Sequence, residues 1–290
     1  MTSAMQWDRR SVIKAAGLGA MAAVTRPSEW VRAEEATKVR GHIKQSVCRG
    51  CYGKIPIEKL AAEAKRIGYR SIELLIPEEV KVVKSYGLTC AMLKGVCKIP
   101  DCLNRKENHA QVEKKLREYI EFAADNDLPN VICFSGNRRG ISDEEGLANC
   151  AAGLKRIVGF AEQKKVTICM ELLNSKVNHK DYMCDRSAWG VKLVQQVGSP
   201  RFKLLYDIYH MQIMEGDIIR TIRENKEYIA HFHTGGNPGR HEIDETQELN
   251  YGAIMRAIRD TGFEGYVGQE FTPTRDPMTS LAQAFRICDV

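Results

Sequence analysis

Two rhythms of apolar and polar positions alternate along this chain. Short runs rich in β-branched and aromatic residues recur, and between them lie longer stretches with an apolar residue every third or fourth position. Eight short runs follow residue 42: IKQSVC (43–48), SIELLI (71–76), LTCAML (88–93), NVICFS (130–135), VTICMEL (166–172), FKLLYDI (202–208), YIAHFHT (228–234) and GYVGQEF (265–271). Each has strand length and reads as a buried strand. The intervening patterns predict helices over 57–67, 80–86, 109–126, 144–164, 188–197, 216–224, 252–261 and 278–287. Strand and helix in strict succession build a parallel sheet. Eight units of ~30 residues match a single (β/α)8 barrel, an α/β fold of one domain. An open doubly wound sheet is the competitor, but the first run leads into CRGCYGK, which lacks the GxGxxG spacing.

Turn chemistry supports the unit boundaries. Gly68, Gly87 and Gly262 follow helical patterns, where a left-handed cap is expected. Ser142 with Glu145 three residues on forms a capping box.

The last four runs each carry, one residue before their end, a side chain of a type that binds metals: Glu171, Asp207, His233 and Glu270. Ends of barrel strands meet at one mouth. Three carboxylates and an imidazole there suit a divalent ion, Mn²⁺ or Mg²⁺ foremost and Co²⁺ or Zn²⁺ after them. Taken singly, each has a plain alternative, since a strand-end acid caps helices and a histidine beside a phenylalanine packs in cores. Four in successive units favour the metal. A carboxylate that binds metal through one oxygen can take a proton with the other. Glu171 and Glu270, flanking the other two, are therefore the candidate acid/base pair. With a metal to polarise a carbonyl and stabilise an enediolate, they would move a proton next to that carbonyl. His210, three residues after Asp207, either meets a substrate oxygen or caps locally. Arg240 in the polar loop after the seventh run suits a substrate carboxylate, or is a solvated loop arginine. Arg138 and Arg139 follow the fourth run in a similar way. Glu73, inside the second run, is a further polar group for the mouth or an outlier in the barrel layer.

Residues 1–33 differ from the rest. DRRSVIK precedes the small apolar run AAGLGAMAAV, and Val31-Arg32-Ala33 offers a cleavage site. The paired Arg9 and Arg10 resemble a twin-arginine export signal. The apolar run is too short to span a bilayer. Residues 34–42 then read as a linker, 43–290 as the barrel, and the periplasm or exterior as the destination. The chain carries a formal +6, and residues 1–33 hold five cations against two acids, which leaves the remainder near +3. That is too mild for nucleic acid or an anionic membrane. Among ten cysteines, Cys48 and Cys51 form a lone CxxC without a zinc-type partner set. A Cys48–Cys51 or a Cys97–Cys102 disulfide would suit an oxidising compartment.

The strings MELLN, LLYDIYHMQ, HFHTGGNPGRHE, ELNY and GYVGQEFTP resemble the xylose-isomerase-like barrel superfamily, and within it the hydroxypyruvate isomerase group, over roughly residues 43–275. The resemblance implies a TIM barrel and a metal-dependent isomerase of a small hydroxy-carbonyl substrate. It implies Glu171, Asp207, His233 and Glu270 as metal ligands, with Glu171 and Glu270 as the acid/base pair. Hydroxypyruvate isomerases often carry Gln at the third ligand position, where this chain has His233. That histidine is similar to the ketose 3-epimerases, which also use the histidine of DxxH, here His210, for substrate. Two epimerase features are displaced: Val177 stands where those enzymes have Glu, and Gly239 precedes Arg240 where they have Arg. A ketose 3-epimerase, or a sugar or cyclitol epimerase or dehydratase, is thus the second expectation. Abasic-site endonucleases share the barrel but need further histidines, which the ends of the second and third runs lack. A non-catalytic sugar binder would need no paired acids. A homo-oligomer is left open.

Overall fold

In the computed structural model, which describes residues 39–290, seven parallel strands curl into a sheet with helices outside it. The strands are β1 (Lys44–Cys48), β2 (Ser71–Glu73), β3 (Asn130–Cys133), β4 (Thr167–Glu171), β5 (Phe202–Asp207), β6 (Ile229–Thr234) and β7 (Tyr266–Gln269). Their order is β2-β1-β7-β6-β5-β4-β3. Each is almost entirely buried, as expected of parallel strands covered on both faces. The first and last strands pair, Ser46 opposite Gly268, so the chain closes on itself there.

The run 88–93 departs from expectation. It lies between β2 and β3 and touches both through isolated parallel bridges, Ser71 with Thr89, Leu75 with Leu93 and Leu93 with Val131. No continuous ladder forms, because side chains take the backbone groups at its centre. Ser71 Oγ accepts from Ala91 N–H at 2.8 Å, and Asn130 Nδ2 donates to Ala91 O at 2.8 Å. Leu74, at φ 57°, also ends β2 three residues short of the expected run. The eighth position of the barrel is therefore filled by an irregular segment.

The helices are α1 (Ile57–Ile67), α2 (Pro77–Ser85), α3 (His109–Asp125), α4 (Asp143–Lys155), α5 (Val158–Lys164), α6 (Ser187–Val197), α7 (Ile208–Met214), α8 (Ile218–Asn225), α9 (Tyr251–Asp260) and α10 (Pro277–Cys288). The expected 144–164 helix splits into α4 and α5 where Arg156 and Ile157 make tighter i→i+3 bonds to Gly153 and Leu154. The capping box forms on its serine side, Ser142 Oγ accepting from Glu145 N–H at 3.1 Å. Gly68, at φ 120°, lies so close to Phe285 of α10 that a Cβ would stand 2.8 Å from its ring, which packs the last helix against the first.

The expected export signal, residues 1–33, lies outside the described residues. Of the expected linker, Arg40 and Gly41 donate their N–H groups to the Asp289 carboxylate at 2.8 Å each. Cys97 and Cys102 are joined as a disulfide, whereas Cys48 and Cys51 are free. No helix among the described residues is long and apolar enough to cross a membrane.

Candidate metal centre and active site

Glu171 and Asp207 are the last residues of β4 and β5, His233 is the next-to-last of β6, and Glu270 stands one residue beyond β7. Asp207 and His233 are register partners across β5 and β6, which sets them side by side. One ligand atom from each of the four lies within 4.8 Å of every other. His233 Nδ1 is 2.5 Å from Glu270 Oε2 and 3.2 Å from Glu171 Oε1. The four side chains that the sequence picked out do converge.

Their electrostatics differ. Burial pushes the Glu171 carboxyl above its ordinary value, with the charges of Glu270 and Asp207 adding to the rise. Burial would raise Glu270 too, but the Arg240 guanidinium and His233 outweigh it and hold that carboxyl below its ordinary value. Burial opposes a charge on His233, yet the surrounding acids lift it well above the ordinary imidazole range. Oxygen and imidazole donors converging with no hydroxyl or amide among them form a set that a divalent cation fits.

Arg240 enters this cluster, its Nη2 lying 2.8 Å from Asp207 Oδ2 and 2.7 Å from Glu270 Oε2. The Tyr209 ring backs it, 5.4 Å from the guanidinium carbon. His210 is buried on α7, a helix absent from the sequence expectation because IYHMQIM continues the apolar run without a break. Asp207 caps that helix, Oδ1 accepting from His210 N–H at 3.0 Å. Burial, reinforced by the positive charge of Arg240, drives the His210 ring well below the ordinary range, so it is neutral at pH 7. Its Nδ1 accepts from the backbone N–H of Asn174 at 3.2 Å. The ring proton therefore sits on Nε2, which has no hydrogen-bond partner. The backbone of His210 takes the cap, and its ring offers a donor toward the Asp207 side.

Glu73 does not open into the mouth. It is fully buried, and its Oε1 lies 2.8 Å from both His231 Nε2 and His233 Nε2. Burial works against its charge, yet His231 and His233 hold the carboxyl well below the usual range. The reading of Glu73 as a substrate contact is corrected on this geometry. Arg138 is likewise occupied, ion-paired to Asp143 and Asp185. Cys48, whose Sγ approaches Glu73 Oε1 at 3.6 Å, and His231 were missed. Period 2 along the strand could have found His231, which shares a face with His233.

A cavity of about 580 Å³ opens over Glu171 and Glu270. Leu74, Ile76, Ile99, Ile132 and Phe134 line its apolar side, and Arg49, Glu79 and Lys94 its polar rim. Arg49 and Glu79 neutralise each other at 3.0 Å.

The chain matches the family model described as xylose isomerase-like TIM barrel over residues 61–288. It belongs to that family. Hydroxypyruvate isomerase of Escherichia coli is 26% identical over 232 residues, covering 73% of this chain and 86% of that protein. D-psicose 3-epimerase of Agrobacterium fabrum is 32% identical over 136 residues, 43% of this chain and 45% of that one. Against human and mouse relatives the match runs over 129 residues, 47% of each of those proteins, so the chain spans about half of their length. Among solved structures, an AP endonuclease family 2 protein from Brucella melitensis superposes with a TM-score of 0.75 at 20% identity, covering 83% of this chain and 98% of that one. A likeness at that identity speaks for the fold alone.

Proposed function

We propose that this chain is a metal-dependent isomerase of a small hydroxy-carbonyl compound, of the hydroxypyruvate isomerase type. The observation that carries the reading is the meeting of Glu171, Asp207, His233 and Glu270 at one mouth, with Glu171 and Glu270 also lining the cavity. These four would hold the ion, Mn²⁺ or Mg²⁺ foremost. When bound, the ion supplies Lewis-acid polarisation of a carbonyl or hydroxyl oxygen.

The remaining work falls to side chains. One of the two glutamates removes the proton from the carbon beside the carbonyl, and a proton is then returned to the neighbouring carbon through an enediolate. Neutral His210 donates its Nε2–H to a substrate oxygen. Arg240, held over the Tyr209 face, presents a guanidinium to a carboxylate or hydroxyl of the substrate. The apolar side of the cavity limits water around the reacting carbon.

A second reading, ketose 3-epimerase or another sugar or cyclitol epimerase or dehydratase of this fold, is favoured by one feature. His233 stands where hydroxypyruvate isomerases often carry Gln. In that case the proton returns to the same carbon from the opposite side. An NMR assay with hydroxypyruvate and a panel of free ketoses, in Mn²⁺ or Mg²⁺, separates the two. The expected result is conversion of hydroxypyruvate to its aldehyde isomer, with the ketoses unchanged. Epimerised ketose with untouched hydroxypyruvate would replace the first reading by the second.

We also propose that residues 1–33 act as a twin-arginine export signal. Replacing Arg9 and Arg10 by Lys should leave the protein in the cytoplasm of a bacterial host. Fractionation that still finds it in the periplasm would exclude the twin-arginine route.

A further inference from the structure

Behind His233 lies a second polar group whose other members the proposed chemistry does not use. Glu73 of β2, Cys48 of β1, and His231 and His233 of β6 meet inside the barrel, all fully buried. β1 and β2 pair with Cys48 opposite Glu73, which brings the thiol and the carboxylate to one level. β6 and β7 pair with His233 opposite Gly268. That glycine leaves the space the group occupies: a Cβ on it would stand 2.7 Å from Glu73 Oε1 and 3.0 Å from His233 Cδ2.

The hydrogen-bond roles here are forced. An ionised carboxylate only accepts. A single oxygen of Glu73 lies 2.8 Å from Nε2 of His231 and 2.8 Å from Nε2 of His233. Both imidazoles must therefore carry a proton on Nε2 to make these bonds. For His233 that leaves Nδ1, the nitrogen beside Glu171 and Glu270, as the one whose proton can give way to a cation. The opposite tautomer would set a lone pair against the carboxylate and turn an N–H toward the ligands.

We infer that Glu73 is a positioning residue that fixes the tautomer and ring orientation of His233, so that Nδ1 is the nitrogen offered to the metal. It rests on the proposed metal site. His231 shares the same oxygen and holds the carboxylate in place from the other side. Gly268 is the second element of the device, since only a residue without a Cβ lets the carboxylate and the ring lie against β7. Outer partners that orient a ligating histidine in this way change metal affinity by roughly 10- to 100-fold when removed.

The experiment compares wild type, Glu73→Gln and Glu73→Asp by Mn²⁺ titration, followed by electron paramagnetic resonance. Imidazole nitrogens are read separately by NMR on ¹⁵N-histidine-labelled protein loaded with Mg²⁺. Glu73→Gln should bind Mn²⁺ roughly 10- to 100-fold more weakly while keeping a cooperative thermal transition, and His233 should lose its single Nε2–H signature. Glu73→Asp, which keeps the charge, should recover part of the affinity. Should Glu73→Gln fail to fold, Gly268→Ala provides the same reading, because it crowds the pair without removing a polar group. Wild-type affinity and an unchanged His233 spectrum in a folded variant would overturn the inference and leave the metal site standing. A wild-type protein that takes up no Mn²⁺ would overturn the metal reading, and this inference with it.

Discussion

Glu171→Gln and Glu270→Gln should each lower kcat by about 10³-fold on whichever substrate the wild type turns over, within the span usual for loss of a general acid or base. Glutamine keeps the shape of the side chain and an oxygen able to bind metal. It removes the capacity to accept and return a proton. Both side chains line the cavity, so both can reach a bound substrate. Asp207 and His233 differ in kind. Asp207 commits Oδ1 to His210 N–H, and His233 commits Nε2 to Glu73, so neither has an atom free for the proton once the ion is held. Asp207→Asn should therefore act mainly through metal affinity and be relieved in part by excess Mn²⁺, whereas the two glutamine variants should stay inactive at metal saturation. Rates within a few-fold of wild type for either glutamine variant, measured with saturating metal, would end the acid/base assignment.

Gly236→Ala should damage the site without touching a ligand. Gly236 opens the loop that delivers Arg240, and it faces His241 across an antiparallel bridge. Gly236 N–H donates to His241 O at 2.9 Å, and Arg240 N–H donates to Gly236 O at 2.8 Å. A Cβ on Gly236 would stand 2.1 Å from Glu242 O and 2.9 Å from His241 O. Both are backbone atoms, so no rotamer change relieves the clash and the loop must be rebuilt. Overpacking of this kind costs about 1–3 kcal/mol. Displacing Arg240 by even 1 Å costs on the order of 100-fold in kcat/KM. Gly159→Ala is the control: it lies in α5 with nothing within 4 Å of the new Cβ, and a gain of up to ~1 kcal/mol is expected there. Thermal melts and steady-state kinetics on the two variants give the comparison. Wild-type stability and kinetics for Gly236→Ala would mean that the loop does not hold Arg240 in the way described.

The cluster was legible because a parallel barrel strand is apolar on both faces, and polar groups near the ends of four successive runs exceed what helix capping alone would place there. Glu171, Asp207, His233 and Glu270 all announced themselves in this way. The run 88–93 has the composition of a strand, yet its ladder is broken by Ser71 Oγ and Asn130 Nδ2, side chains about 20 and 40 residues distant in sequence. No local pattern carries that information. The helix Ile208–Met214 was hidden because strand and helix join there within one apolar stretch, with Asp207 both the last residue of the strand and the cap of the helix. Glu73 was visible as an acid in a strand, but its direction depends on the register of β1 against β2 and on the absence of a side chain at Gly268. Arg240 was named from its loop, while its ion pairs with Asp207 and Glu270 arise only when β5 and β7 stand on either side of that loop.

Asp207 shows how little such a site has to rearrange. Its Oδ1 is tied to the first turn of a buried helix, so its Oδ2 is already aimed at the centre of the cluster. The rotational freedom of that side chain, worth on the order of 1 kcal/mol, is lost when the barrel folds, so the proposed ion would not have to supply it. The same holds for the His233 ring, clamped from behind. Selectivity at the proposed site would then rest on how well an ion's preferred radius matches a frame already set, and a poorly sized ion would find side chains that do not close in around it.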